Sequence, residues 1–126
     1  MLGNVKAFNG FAVDDLQAAR EFYEDTLGLK VSVVDEEHGL LSLDHPGDHS
    51  TLMYLSPGLT PASSTILNFP VDDIDEAVDG LTARGVRFER YDGMEHDDKG
   101  IMRAGGPYIA WFKDPSGNVL SVLQER

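Results

Sequence analysis

A segment near the start of this chain returns, altered, about 58 residues later. Phe11-Ala12-Val13-Asp14-Asp15-Leu16 is echoed by Phe69-Pro70-Val71-Asp72-Asp73-Ile74, and Leu27-Gly28-Leu29-Lys30-Val31 by Arg84-Gly85-Val86-Arg87-Phe88. Leu43-Asp44-His45-Pro46-Gly47 has a looser counterpart in Lys113-Asp114-Pro115-Ser116-Gly117. A period near half the chain length implies two copies of one module related by a pseudo-two-fold, because a solenoid needs three or more units. Functional positions can therefore be read twice and compared.

Each copy has the same local grammar. A short apolar strand, 5–13 in the first and 64–71 in the second, meets a double aspartate that starts a helix. Asp14 with Gln17, and Asp73 with Glu76, have the capping-box spacing, in which a carboxylate satisfies orphan amides of the first turn. Leu16, Ala19, Tyr23 and Leu27 form one apolar stripe at helical steps, and Ile74, Ala77, Val78 and Leu81 form the other. Gly28 and Gly85 stop the helices. β-like segments follow at 29–35, 40–43 and 51–55 in the first copy, and at 86–91, 108–112 and 119–123 in the second, with 101–104 a weaker candidate. The expected organisation is one domain, with module one at 1–56, a Pro/Gly/Ser linker at 57–63 and module two at 64–126. The fold class is α+β, two βαβββ modules whose sheets curve around a cleft.

Composition removes several function classes. A formal charge of −12, with 10 Lys and Arg against 22 Asp and Glu, argues against nucleic acid, whose phosphates require clustered cations. The absence of cysteine eliminates disulfides, thiolate metal sites and cysteine nucleophiles, and fits a cytoplasmic location. No long apolar run or basic-then-apolar leader is seen, so neither a membrane partner nor a secretory signal is expected. The acidic run at 92–98 lacks the EF-hand spacing and reads as a solvated loop.

Val13-Asp14-Asp15-Leu16 through Glu21-Phe22-Tyr23 to Leu27-Gly28-Leu29, then Val71-Asp72-Asp73-Ile74, then Trp111-Phe112-Lys113-Asp114-Pro115-Ser116-Gly117-Asn118, resemble the vicinal oxygen chelate superfamily. That superfamily includes glyoxalase I, bleomycin-binding resistance proteins, fosfomycin resistance enzymes and extradiol dioxygenases. The resemblance covers nearly the whole chain and implies paired βαβββ modules enclosing a cleft, usually in a homodimer. The Asp-Pro-Ser-Gly motif has turn chemistry and identifies the fold without performing a reaction.

Metal-dependent members of that superfamily place ligands on cleft-facing strand positions. The corresponding positions counted here are Phe8, Met53, Ile66 and Ser121. Two hydrocarbons, a thioether and one hydroxyl offer neither carboxylate nor imidazole, so no metal and no other cofactor is expected. His38, His45, His49 and His96 fall in turns and loops and read as exposed side chains. No Gly-rich phosphate loop, Walker motif or nucleophile elbow is found, and no catalytic residue is assigned.

Strand alternation then gives the expected cleft lining: Phe8, Met53, Ile66, Ile109 and Trp111, with Thr51, Asn68 and Ser121 as polar handles. Arg103, beside two glycines, either holds an anionic group at the cleft lip or makes a surface salt bridge. The leading expectation is a metal-free glyoxalase- or bleomycin-resistance-like homodimer binding a small, partly aromatic molecule. The alternative is a lyase, isomerase or dioxygenase of the same superfamily, metal-dependent or not. A filled cleft in a purely structural module is the third reading.

Overall fold

The structure is a computed structural model describing residues 1–125. It divides into two compact units, Met1–Leu59 and one beginning at Thr60, so that the boundary falls within residues 57–63. Among the described residues no helix is long and apolar enough to cross a membrane.

The first unit carries β1 (Asn9–Val13), α1 (Leu16–Glu21), β2 (Lys30–Asp35), β3 (Leu40–His45) and β4 (His49–Leu55), in the sheet order β1-β4-β3-β2. β1 and β4 are parallel and the other pairs antiparallel. β1 is shorter than the 5–13 strand expected and begins only at Asn9, residues 5–8 being irregular. α1 continues into a π-helical turn at Phe22–Thr26, closed by Leu27 N–H donating to Phe22 C=O at 2.9 Å. The helix cap is Asp15, whose carboxylate accepts from Ala18 N–H at 3.0 Å, rather than Asp14. Gly28 then ends the turn at φ 75°, where a Cβ would be strained.

The second unit contains β5 (Thr65–Pro70), α2 (Ile74–Ala83), β6 (Tyr108–Lys113) and β7 (Val119–Gln124), in the order β5-β7-β6. Asp73 caps α2 through Glu76 N–H at 3.1 Å. The segment expected as a strand at 86–91 is reduced to a bridge between Phe88 and Phe112, and the one at 101–104 to a bridge between Met102 and Ile109. The Arg90 guanidinium donates to the carbonyls of Asp97 and Asp98, which draws this stretch toward the following loop.

Ladder register settles which side chains share a face. In the first unit Phe11 is opposite Met53 and Asn9 opposite Thr51, while Met53 and Thr51 are also opposite Leu41 and Leu43. Phe11 packs on Tyr23 of the helical segment, with ring centroids 5.8 Å apart. Thr51 and Met53 are therefore buried core on the helix-covered face. This corrects their expected place in the cleft. The first-unit counterpart of Ser121 is Leu52, because Leu52 is opposite Gly10 as Ser121 is opposite Asn68.

The slip has a local cause. His45 pairs with His49 as Asp114 N–H pairs with Asn118 C=O, so His45 corresponds to Asp114 and Asp48 to Gly117. Both of the latter residues take positive φ, 58° and 89°. Matching the two turns by their aspartates instead shifts the alignment by one residue, and a shift of one turns a strand over.

The turn in the second unit is held by Asp114. Its carboxylate accepts from Ser116 N–H and Asn118 N–H, both at 2.9 Å, and from Asn118 Nδ2 at 3.0 Å. All three residues are buried. Asp114→Ala would strand these donors in the interior, and we expect a loss of about 3 kcal/mol. The melting temperature should then fall by roughly 10 °C or more in calorimetry. A change within about 2 °C would show that the turn does not depend on this carboxylate.

Candidate functional site

In the second unit, Leu67, Phe69, Ala110, Phe112, Leu120 and Val122 alternate with residues of the opposite face. Ala110, Phe112, Leu120 and Val122 are buried, as are Ile74 and Val78 of α2, which packs on β6 and β7. The face turned away from α2 carries Asn68, Ser121 and Trp111 in one row across three strands. Ile109 follows Trp111 on the same face. Ile66 lies at an irregularity in the β5–β7 ladder and has no partner residue in it. Asn68 is exposed, Trp111 and Ile109 are half-buried, and Ser121 is fully buried. Ser121 Oγ donates to Asn68 Oδ1 at 2.6 Å.

Two aromatic residues that the sequence reading missed join Trp111. Its ring centroid lies 5.6 Å from that of Tyr91 and 6.2 Å from that of His96, both edge-on. Glu89 N–H donates to Trp111 C=O at 2.7 Å, which places the 88–91 segment beside β6. His96 accepts from Tyr91 N–H through Nε2, and its Nδ1 faces Gly100 C=O, each at 3.1 Å. Nδ1 therefore carries the proton, a tautomer set by its partners. His96 is thus a half-buried structural side chain, not an exposed one. Only the folding of residues 92–103 brings it to Trp111, and no local motif signals that.

This loop is ordered by Asp97. Its carboxylate accepts from Lys99 N–H, Ile101 N–H and Arg103 Nε at 2.9, 2.8 and 3.1 Å. Burial raises the Asp97 pKa, but the Ile101 amide, Arg103 and the Lys99 amide together bring it below the ordinary value. Arg103 also donates to Asp75 of α2 at 2.7 Å and lies over the Tyr108 ring at 5.2 Å. Arg103 is therefore committed to two carboxylates, the salt-bridge alternative of the two expected for it, and is not placed to hold an anion in the cleft. The acidic run is correspondingly a braced loop rather than a free one.

The first unit arranges its polar groups differently. Phe8 precedes β1 and is exposed. Thr51 donates to Asn9 Oδ1 at 2.9 Å, so its oxygen receives the His45 Nε2 proton, also at 2.9 Å. Burial, and then the nearby His49, lower the His45 pKa. On the other face Asp44 accepts from Ser42 and Ser32 at 2.8 and 3.0 Å, and these two bonds lower its pKa.

The four family metal positions, with the corrected register, are Phe8, Leu52, Ile66 and Ser121. Three hydrocarbon side chains and one hydroxyl do not fit a divalent cation. Among the described residues no three His, Asp or Glu side chains converge to replace them.

The fold and repeat agree with comparison to known proteins. The chain belongs to the Glyoxalase/Bleomycin resistance protein/Dioxygenase superfamily, whose family model matches residues 7–122. The Bacillus subtilis (strain 168) protein YraH is 28% identical over 127 residues, spanning 89% of this chain and 91% of its own. TnmS3, an antibiotic binding protein from Streptomyces sp. CB03234, is 27% identical with a TM-score of 0.69, each chain being 98% covered. A superfamily member from Sphaerobacter thermophilus DSM 20745 is 26% identical with a TM-score of 0.70, covering 96% of this chain and 98% of that one. Lactoylglutathione lyase from Agrobacterium tumefaciens, 21% identical over 96% of this chain and 93% of its own, shares the fold with a TM-score of 0.66.

The shifted groups give a pH dependence with a definite sign. The native His45 pKa lies below its ordinary 6.5, so the unfolded chain takes up that proton first. The associated stability is complete above pH 6.5 and declines as pH falls through the native value. Asp44, Asp75 and Asp97, all depressed below 3.8, give a further loss beginning below that pH. Melting temperature measured from pH 8 downward should show the first decline in the wild type and a flatter curve in His45→Gln. Identical curves would assign that decline to another group.

Proposed function

We propose that this protein binds a small, partly aromatic molecule on the second unit's sheet face and does so without a divalent metal. The observation that carries the reading is the grouping of Trp111, Tyr91 and His96 beside the Asn68–Ser121 pair. A half-buried indole flanked edge-on by two rings presents a rigid flat surface, and aromatic stacking on it contributes about 1 kcal/mol beyond burial. The few polar atoms beside it provide orientation. Similarity to an antibiotic binding protein at 27% identity over nearly the full chain supports binding as the role. The donor set at the family metal positions supports a metal-free site. Phe8, Val33, Val34, Tyr54 and Leu55 are exposed on the first unit, apolar surface of the kind a homodimer would cover.

Trp111 is the only tryptophan, so its emission reports on this face alone. Titrating chelator-treated protein with a panel of small aromatic compounds should quench or shift that emission and raise the melting temperature. At roughly one hundred times Kd the stabilisation is about 2.7 kcal/mol. Trp111→Ala should weaken binding by about tenfold, measured by the ligand-dependent melting shift. No response to any aromatic ligand would overturn the reading. Stabilisation by a stoichiometric divalent cation would overturn its metal-free part.

A further inference from the structure

The hydrogen bonds around Trp111 are one-sided. Ser121 donates to Asn68 Oδ1, which engages one lone pair of the amide oxygen and leaves the amide nitrogen turned away from Ser121. Among the described residues no group accepts from Asn68 Nδ2, although the residue is exposed. Trp111 Nε1, a donor only, likewise meets no acceptor among them. The two nitrogens of His96 are both taken by backbone groups. Asn68 and Trp111 therefore each keep an N–H donor for a ligand, while the amide oxygen is turned toward Ser121.

The charges nearby narrow the choice further. Lys113, two residues along β6 from Trp111, reaches Glu89 at 3.2 Å, and Arg103 is held by Asp75 and Asp97. No uncommitted cation faces an anionic ligand from these neighbours, and the chain as a whole carries −12. A cationic ligand would bring further donors to a row whose unengaged N–H groups at Asn68 and Trp111 call for an acceptor. The row has Ser121 on the central strand, so Asn68 and Trp111 stand two strand spacings apart, about 10 Å between backbones. A fused bicyclic ring with one carbonyl arm spans that distance.

Resting on the aromatic-binding reading above, we infer that the ligand class is a neutral aromatic carbonyl compound, its ring stacked on Trp111 and its oxygen accepting from Asn68 Nδ2. Asn68 is then the residue that determines specificity, and buried Ser121 is the positioning residue that sets which end of the amide faces the ligand. One donated hydrogen bond discriminates by roughly five- to tenfold.

The test compares three probes of one shape: 2-acetylnaphthalene, 2-ethylnaphthalene and 2-(aminomethyl)naphthalene, titrated against Trp111 emission. The wild type should bind the acetyl compound about five- to tenfold more tightly than the ethyl compound. Asn68→Asp keeps an oxygen for Ser121 and replaces the outward NH₂ by an acceptor. It should abolish the acetyl preference and favour the aminomethyl probe. Ser121→Ala, which frees the amide to rotate, should reduce the preference without reversing it. Melting curves of both variants establish that they are folded. Equal binding of acetyl and ethyl probes by the wild type, or an unchanged preference in folded Asn68→Asp, would overturn the carbonyl inference while leaving aromatic binding intact. Failure of all three probes to bind would overturn both.

Discussion

The register between β6 and β7 is the constraint on which the candidate site depends. It is set by one buried turn, in which Asp114 collects two backbone amides and the Asn118 carboxamide. Because side chains alternate strictly along a strand, the turn decides that Trp111 shares a face with Ser121 and that Phe112 and Leu120 join the core, while the parallel β5–β7 pairing adds Asn68 to the Ser121 row. A turn one residue longer or shorter would bury the indole and expose the core. The motif that most resembles the superfamily therefore acts on function indirectly, by aiming other residues.

A second organising element is the use of acid by acid-rich sequence. With more than twice as many acidic as basic residues, the chain uses three of its cations to brace one loop. Arg103 and Lys99 bridge the 92–103 loop to Asp75 and Asp79 of α2, and Arg90 holds that loop through carbonyls. Exposed ion pairs contribute little singly, but several sharing partners restrain a segment that has little secondary structure of its own. That restraint delivers His96 to Trp111. It also leaves the Asn68 face without a nearby uncommitted cation, which bears directly on the ligand such a face can accept.

Superfamily membership alone leaves activity open, since one fold carries lyases, dioxygenases and binding proteins. What distinguishes this chain is chemical. Leu52, Ile66 and Phe8 stand where carboxylate or imidazole would be required, and a tryptophan with two edge-on aromatic neighbours stands close to Ser121. A hydrocarbon at such a position offers packing surface and no lone pair for a cation.

The repeat, the second helix cap at Asp73 and the family were legible in the sequence, because each rests on local rules, whereas the first cap is Asp15 and not Asp14. Alternation placed Trp111, Ile109, Asn68 and Ser121 on one face correctly from their spacing within the second module. Thr51 and Met53 were misplaced because aligning two turns by their aspartates ignored that Asp48 occupies the left-handed position Gly117 fills. Arg103, Tyr91 and His96 were beyond local reasoning. Their partners lie on α2, on β6 and at the end of a loop, and only long-range closure sets those distances. Sequence by itself determined the alternation and the turn chemistry, hence which residues can share a face. Tertiary structure decided which donors on that face remain open, because hydrogen bonds and ion pairs between distant segments consume the rest.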